Sequence, residues 1–449
     1  MSDPTSISNL LTWNKAGVGM YTDTAGTVPV ANDGDLIALW KDQSGNGFDR
    51  VQATSGARLK WDALCQLVQN EYNEKQWMPL GSGVAFNSQG FTIGYVGQLV
   101  TIRSGCSSNA NTSFTVLLEG TGDAANFYYT RGGRLATYDG STVRNTPVGN
   151  GLLSTSRIFL CMTSSASGTT IYVGNNTGSL AAMTSNSITG GNIFGESAGA
   201  ASFQGAIADS FMYGRALTST EVATLYGYAQ TRGVSSAYTN NLLIDGDSIS
   251  AGAGNTMNRN WVQQLTIPAN TRVVNTSEAS IQLATLVSEA STFVDPWLLA
   301  GAQNVLVLFA GTNDFQAGAS EATILANTKT YCAARKSAGW NKIVVCTMLP
   351  RGVGGTFTQT TWNQFNSDIN SSFGAGTLNC DAIADVAADP RIGNWGANTN
   401  LTYYAADQIH PNNAGSAIIA GIAQPAIQPF LGAASGAYQG INLSIGIRL

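Results

Sequence analysis

Apolar and polar positions follow two different rhythms along the chain. From residue 10 to about residue 214, clusters of Gly, Asn, Ser and Thr interrupt the sequence every several residues. Between them lie short apolar segments such as Phe114-Thr115-Val116-Leu117-Leu118 and Arg157-Ile158-Phe159-Leu160-Cys161. Short runs bounded by turn-forming residues predict strands, here a mostly antiparallel β-sandwich. One good helix is predicted in this half, over residues 219–228, because Thr218 or Ser219 can cap it and Glu221 falls in its first turn. Residues 231–241, with Gly233, Ser235, Ser236 and an Asn pair, read as a linker.

Beyond the linker the rhythm changes to short, continuous apolar runs at residues 242–244, 272–275, 305–309, 343–349 and 382–386, with longer stretches between them. Such runs are strands of a sheet buried on both faces, so this half is predicted to be α/β with a mostly parallel sheet. Residues 320–337 carry Ile324, Leu325, Tyr331 and Cys332 at helical spacing and end before Gly339. Residues 413–423 read as a last helix stopping before Pro425. The predicted organisation is therefore a β-sandwich at 1–235, an α/β domain at 236–431 and a small-residue tail at 432–449.

Composition narrows the class of ligand. Of the 449 residues 43% are hydrophobic and only 11% charged, so the surface is covered by Ser, Thr, Asn, Gln and the 51 glycines more than by ions. A formal charge of -5 without a basic cluster argues against nucleic acid or an anionic membrane as the main partner, and a neutral, polar ligand such as a glycan fits better. No apolar run approaches the roughly 20 residues needed to cross a bilayer. Residues 1–11 lack a basic region followed by an apolar stretch, so no secretory signal is expected. Cys65, Cys106, Cys161, Cys332, Cys346 and Cys380 have no metal-ligand spacing, which predicts few or no disulfides and no metal. Trp13, Trp40, Trp61 and Trp77 are candidates for sugar stacking or for core, and Asp42 and Asp49 lack the dense carboxylate loop that calcium needs.

Three marks fall at or just beyond predicted strand ends. Leu242-Leu243-Ile244-Asp245-Gly246-Asp247-Ser248 runs a buried strand into a Gly-Asp-Ser turn, Gly311-Thr312-Asn313-Asp314 follows the third strand, and Asp407-Gln408-Ile409-His410-Pro411 precedes the last helix. Each alone is an ordinary turn. Together they hold a complete chemistry, since a serine hydroxyl needs an imidazole to take its proton and the imidazole needs a carboxylate to fix its tautomer. A developing oxyanion needs donors, which an Asn amide and backbone N–H groups at a strand-to-helix turn supply. His410 is the only histidine in the chain, so no other imidazole can serve.

With these marks in this order, the half from Leu242 onward resembles the SGNH hydrolases, also called the GDSL esterase and lipase family. The resemblance implies a three-layer, flavodoxin-like α/β hydrolase domain in which Ser248 is the nucleophile, His410 the general base and then acid, and Asp407 its orienting carboxylate. The Ser248 N–H and the Asn313 amide become oxyanion donors, with Gly246, Asp247 and Gly311 in supporting positions. The family's second block usually offers a glycine N–H as a third donor, and here Ser280 stands in that place. In the first half, Leu39-Trp40-Lys41-Asp42-Gln43-Ser44-Gly45-Asn46-Gly47, Phe203-Gln204-Gly205-Ala206-Ile207-Ala208-Asp209 and Tyr213-Gly214-Arg215-Ala216-Leu217 resemble laminin-G-like, concanavalin-type jelly-roll modules. That likeness implies a module that binds glycans or proteins, or serves as a spacer.

The combined expectation is a serine esterase without metal or organic cofactor, acting on an acylated carbohydrate and compatible with an oligomer. Few charges, an appended lectin-like module and no long apolar lid fit removal of O-acetyl groups from a bacterial surface polysaccharide. The same texture fits an extracellular or virion-associated location, as in a bacteriophage tail protein. The alternatives are a lipase or short-chain acyl esterase, and a non-catalytic glycan-binding adhesion or tail protein.

Overall fold

Contacts along the chain divide it into two units, Met1–Ser236 and Ala237–Leu449. The computed structural model describes residues 3–63, 65–69, 76–99, 114–121, 124–130, 134–146, 156–195, 205–256, 259–352 and 356–431. Cys106, Phe203, Gln204 and the tail 432–449 lie outside the described residues.

The first unit is strand-rich, with described sheets of ten, six and three strands whose pairings are antiparallel. Strand Gly90–Leu99 lies between Ile158–Ser165 and Gly205–Tyr213, placing Val96 opposite Phe159 and Gly94 opposite Phe211. Phe159, Phe211 and Tyr213 join a core closed by the helix Ser219–Thr231, which buries Val222, Leu225 and Ala229. That helix begins in a capping box: Thr218 Oγ1 accepts the Glu221 N–H at 3.3 Å, and the Glu221 carboxylate accepts the Thr218 N–H at 2.9 Å. Trp13, Trp40 and Trp61 are buried core residues rather than an exposed sugar platform. Asp42 is occupied by the N–H groups of Trp13, Ser44 and Phe48, and Asp49 accepts the Asp42 N–H, so both organise turns. Among the described residues no cluster of potential metal ligands is present, and Cys65, Cys161, Cys332, Cys346 and Cys380 are free thiols.

The second unit has five strands, β1 (Asn240–Gly246), β2 (Thr271–Asn275), β3 (Gln303–Phe309), β4 (Lys342–Cys346) and β5 (Ala382–Ala384). They form one parallel sheet in the order β2-β1-β3-β4-β5, the doubly wound arrangement whose crevice opens at the carboxyl ends of the strands. Register puts Leu242 beside both Val273 and Val305. The helices are α1 (Ser248–Ala251), α2 (Leu283–Phe293), α3 (Thr312–Gln316), α4 (Glu321–Ala338), α5 (Gln359–Gly374) and α6 (Asn413–Ile427). Leu242, Ile244, Val305, Val307 and Val344 pack with Ile419, Ala423 and Ile427 of α6 in one core. Strand residues alternate in direction, so Leu243, Leu306 and Ile343 face the other side, where α2 meets β1 and α4 meets β4. The result is a three-layer α/β unit. No described helix is long and apolar enough to cross a membrane.

Several elements depart from the sequence reading: the run 382–386 is strand only over Ala382–Ala384, and residues 240 and 241, read as linker, already belong to β1. The run 343–349 pairs only to Cys346, because its neighbour β5 ends at Ala384; Thr347 then donates its N–H to the Ala384 carbonyl and leaves the sheet. Helix α6 does not stop before Pro425 but runs to Ile427. Proline removes one backbone bond and its ring meets the carbonyl four residues back. Burial of Ala423 and Ile427 in the core on either side of the proline outweighs that local cost.

Candidate active site

The turn that carries Ser248 is built by a strand that ends abruptly. At Gly246 a Cβ would lie 2.3 Å from the Phe309 carbonyl, so only glycine lets β1 run this close to β3 before it turns. Asp247 then caps α1, its side chain accepting the Ile249 N–H at 3.0 Å, and Ser248 becomes the first helical residue. The Ser248 N–H finds no acceptor among the described residues, as fits a first-turn helix amide. Burial pushes the Asp247 carboxyl up to about 7, against the pull of the Ile249 N–H and of the Arg351 charge, while the neighbouring Asp314 adds to the rise.

Asp407 and His410 sit in a tight loop closed by backbone bonds. Ala405 donates to the His410 carbonyl at 2.8 Å, Asn412 to the Tyr403 carbonyl at 2.9 Å and Gln408 to the Ala405 carbonyl at 3.0 Å. Gln408 holds a left-handed φ of 57°, which turns the chain between the two side chains. The Asn255 amide ties the loop to the segment after α1 through the Pro411 carbonyl at 3.1 Å. Within this frame His410 Nε2 lies 2.7 Å from Ser248 Oγ, and His410 Nδ1 lies 2.6 Å from Asp407 Oδ2. Asp407 Oδ1 accepts the N–H groups of Ile409 at 3.0 Å and His410 at 3.1 Å. Partial burial raises the Asp407 pKa, but these bonds from the imidazole and backbone outweigh it and leave the carboxyl below its ordinary value.

The remaining sequence-predicted residues lie beside this chain of bonds. Gly311, at φ 118°, starts α3 and so places Asn313 beyond the end of β3. Asn313 Nδ2 donates to the Ile281 carbonyl at 2.9 Å, which binds it to the loop carrying Ser280. That loop is fastened to the turn before Ser248 where the Glu278 N–H donates to the Gly246 carbonyl at 3.0 Å. Ser280 has a φ of 63°, the left-handed conformation that favours glycine, and its N–H has no acceptor among the described residues. Asp314 accepts the Leu283 N–H at 2.7 Å and so caps α2; burial pushes its pKa up while that bond pulls it back.

Two residues of the site were not picked out from sequence. At Gly254, where φ is 83°, an added Cβ would lie 2.6 Å from His410 Cβ, so this glycine makes room for the base of the His410 side chain. Arg351 lies beyond β4 and reaches the Thr312 carbonyl and hydroxyl through Nη1 at 3.4 and 3.3 Å. Its signal is the same as for Ser248: a polar residue just past the carboxyl end of a buried parallel strand.

Residues 246–418 match the GDSL-like Lipase/Acylhydrolase family. Among solved structures, the chain is similar to a member of the lipolytic protein G-D-S-L family from Veillonella parvula, at 14% identity over 42% of this chain and 98% of that one, with a TM-score of 0.34. A lipase/acylhydrolase from Enterococcus faecalis aligns at 18% identity over 43% and 97%, with a TM-score of 0.33. A variant of an acetyl-xylooligosaccharide esterase from Geobacillus stearmophilus aligns at 18% identity over 42% and 95%, with a TM-score of 0.33. No curated protein matches the chain.

Proposed function

We propose, from a C-terminal region of the GDSL-like acylhydrolase type, that this chain is a serine esterase removing O-acetyl groups from a carbohydrate. One observation carries the esterase reading: Ser248 Oγ, both ring nitrogens of His410 and Asp407 form a continuous hydrogen-bonded chain at 2.7 and 2.6 Å. Asp407 holds the imidazole with its proton on Nδ1, leaving Nε2 to accept the Ser248 proton. Ser248 Oγ then attacks the ester carbonyl carbon, and the oxyanion is met by the N–H groups of Ser248 and Ser280 and the Asn313 amide. Collapse expels the alcohol, which takes the proton from His410. Water repeats the sequence on the acyl-enzyme, releasing the carboxylic acid and free Ser248.

The carbohydrate substrate is supported by composition: a surface poor in charge and rich in Ser, Thr, Asn and Gly suits a polar, hydrated polymer. In this reading the strand-rich first unit is a laminin-G-like jelly roll that binds the glycan or spaces the enzyme, and the protein works outside the cell or on a virion. Hydrolysis of para-nitrophenyl acetate by the purified chain, lost in Ser248→Ala, tests the esterase; its absence leaves a glycan-binding protein. Acetate release from a panel of bacterial surface polysaccharides tests the substrate. A preference for long acyl chains in an ester series overturns the deacetylase reading in favour of a lipase.

A further inference from the structure

Among the described residues, Arg351 is a half-buried cation without a carboxylate of its own. Among the described residues its polar contacts are the two long ones from Nη1 to Thr312, and its Nε is enclosed without a hydrogen-bond partner. Its charge is felt by two carboxylates, Asp247 and Asp407, neither within ion-pairing distance. Both are already engaged, Asp247 with the Ile249 N–H and Asp407 with the His410 ring and two backbone N–H groups. A guanidinium taken partly out of water without a paired anion is costly, and proteins retain such an arrangement where a ligand completes it.

Its place in the fold says where that ligand lies. Ser248, Asn313 and Arg351 follow β1, β3 and β4, three neighbouring strands whose carboxyl ends border one crevice. Thr312, which anchors Arg351, immediately precedes Asn313. A substrate whose ester reaches Ser248 therefore passes beside the guanidinium. The planar fork of arginine is suited to carboxylate, and no neutral hydroxyl would compensate its charge.

We infer that Arg351 binds a carboxylate on the substrate, so that the enzyme acts on esters of acidic sugars in preference to neutral ones. This rests on the esterase reading above and names the substrate class for that same site. Arg351 thereby also sets the orientation of the alcohol portion. Because the carboxylate is supplied by the substrate, the preference is electrostatic and weakens with salt.

The test uses the full chain and two pairs of small esters, 3- and 4-acetoxybenzoate and their methyl esters, which differ only in carrying or lacking a carboxylate on the leaving group. The acid-to-neutral ratio of kcat/KM, compared between wild type and variant, cancels intrinsic reactivity. For at least one pair the ratio should fall roughly ten- to a hundredfold in Arg351→Gln, as for loss of a charged hydrogen bond, and less in Arg351→Lys, which keeps the charge. In the wild type the ratio should shrink as NaCl is raised from about 0.05 to 0.5 M, a measurement that needs no variant to fold. An unchanged ratio in Arg351→Gln for both pairs, or a salt-independent ratio in the wild type, overturns the inference while leaving the esterase intact. Failure of the wild type to hydrolyse any of the four esters, with para-nitrophenyl acetate also untouched, overturns the esterase reading itself.

Discussion

Asn313 Nδ2 donates to the Ile281 carbonyl at 2.9 Å. One amide hydrogen is thereby spent on holding the side chain, and the other has no acceptor among the described residues, which leaves it for the oxyanion of the proposed mechanism. An amide fixed in advance pays little reorganisation when charge develops beside it. Asn313→Ala should therefore lower kcat by about 10² to 10³ with little change in KM. Steady-state kinetics on para-nitrophenyl acetate check this, and a rise in KM at constant kcat would place the amide in ground-state binding.

Ser280 is held at φ 63° although it has a side chain. The left-handed region costs a non-glycine residue roughly 1 kcal/mol or more, and glycine gives part of that back through greater freedom of the unfolded chain. Ser280→Gly should leave activity intact or raise it, with stability higher by at most about 1 kcal/mol. A large loss of kcat would assign the exposed hydroxyl a chemical task of its own.

Local patterns in the sequence carry much of this architecture. The runs at Leu242, Val305 and Ile343 mark strands because a parallel strand is apolar on both faces, and Ser320 and Gly339 mark the ends of α4 by their capping chemistry. The pairing of Ser248 with His410 spans 162 positions, yet each partner lies in a short block that is readable in isolation. What stays hidden depends on contacts between segments remote in sequence. The β4 end depends on the length of β5, Pro425 is carried through α6 by burial of Ile427, and Gly254 matters only because His410 arrives beside it. In the first unit, Trp13 and Trp40 are candidates for a sugar platform, though a lone Trp in a β domain is more often core, and the structure places both inside.

Gly254 provides a direct check on that last kind of contact. Its φ of 83° already disfavours a side chain, and a Cβ there would press on His410 Cβ at 2.6 Å and on the Pro411 carbonyl at 2.9 Å. Gly254→Ala should displace the imidazole from Ser248 and lower kcat by at least about tenfold, since small misplacements at a reacting centre are costly. Full activity in a folded Gly254→Ala variant would show that the loop bearing His410 yields without consequence.

The hydrolytic chemistry should survive removal of the first unit, because Ser248, Ser280, Asn313, Asp407 and His410 all lie within Ala237–Leu449. Residues 237–449 produced alone should cleave para-nitrophenyl acetate with a kcat close to that of the whole chain. An inactive but folded fragment would show that the first unit contributes to the site.

Asp247 makes stability depend on pH in a direction opposite to that of most surface carboxylates. Its pKa rises from 3.8 to about 7 because burial disfavours the charged form, so between these values the folded state keeps a proton that the unfolded state has released. Stability then falls as pH increases through that window and levels off above about 7, by roughly 1.4 kcal/mol per pH unit where the difference is complete. Asn at this position keeps an oxygen for the Ile249 N–H and has no proton to lose. The advantage of Asp247→Asn over the wild type should thus be absent near pH 4, grow between pH 5 and 7 and stay constant at pH 8. Hydrogen-exchange protection of the β1 amides in the full chain, followed across that range, measures it for this unit directly. A difference that does not vary with pH would mean that Asp247 is ionised in the folded protein throughout, with the Arg351 charge and the Ile249 N–H compensating its burial.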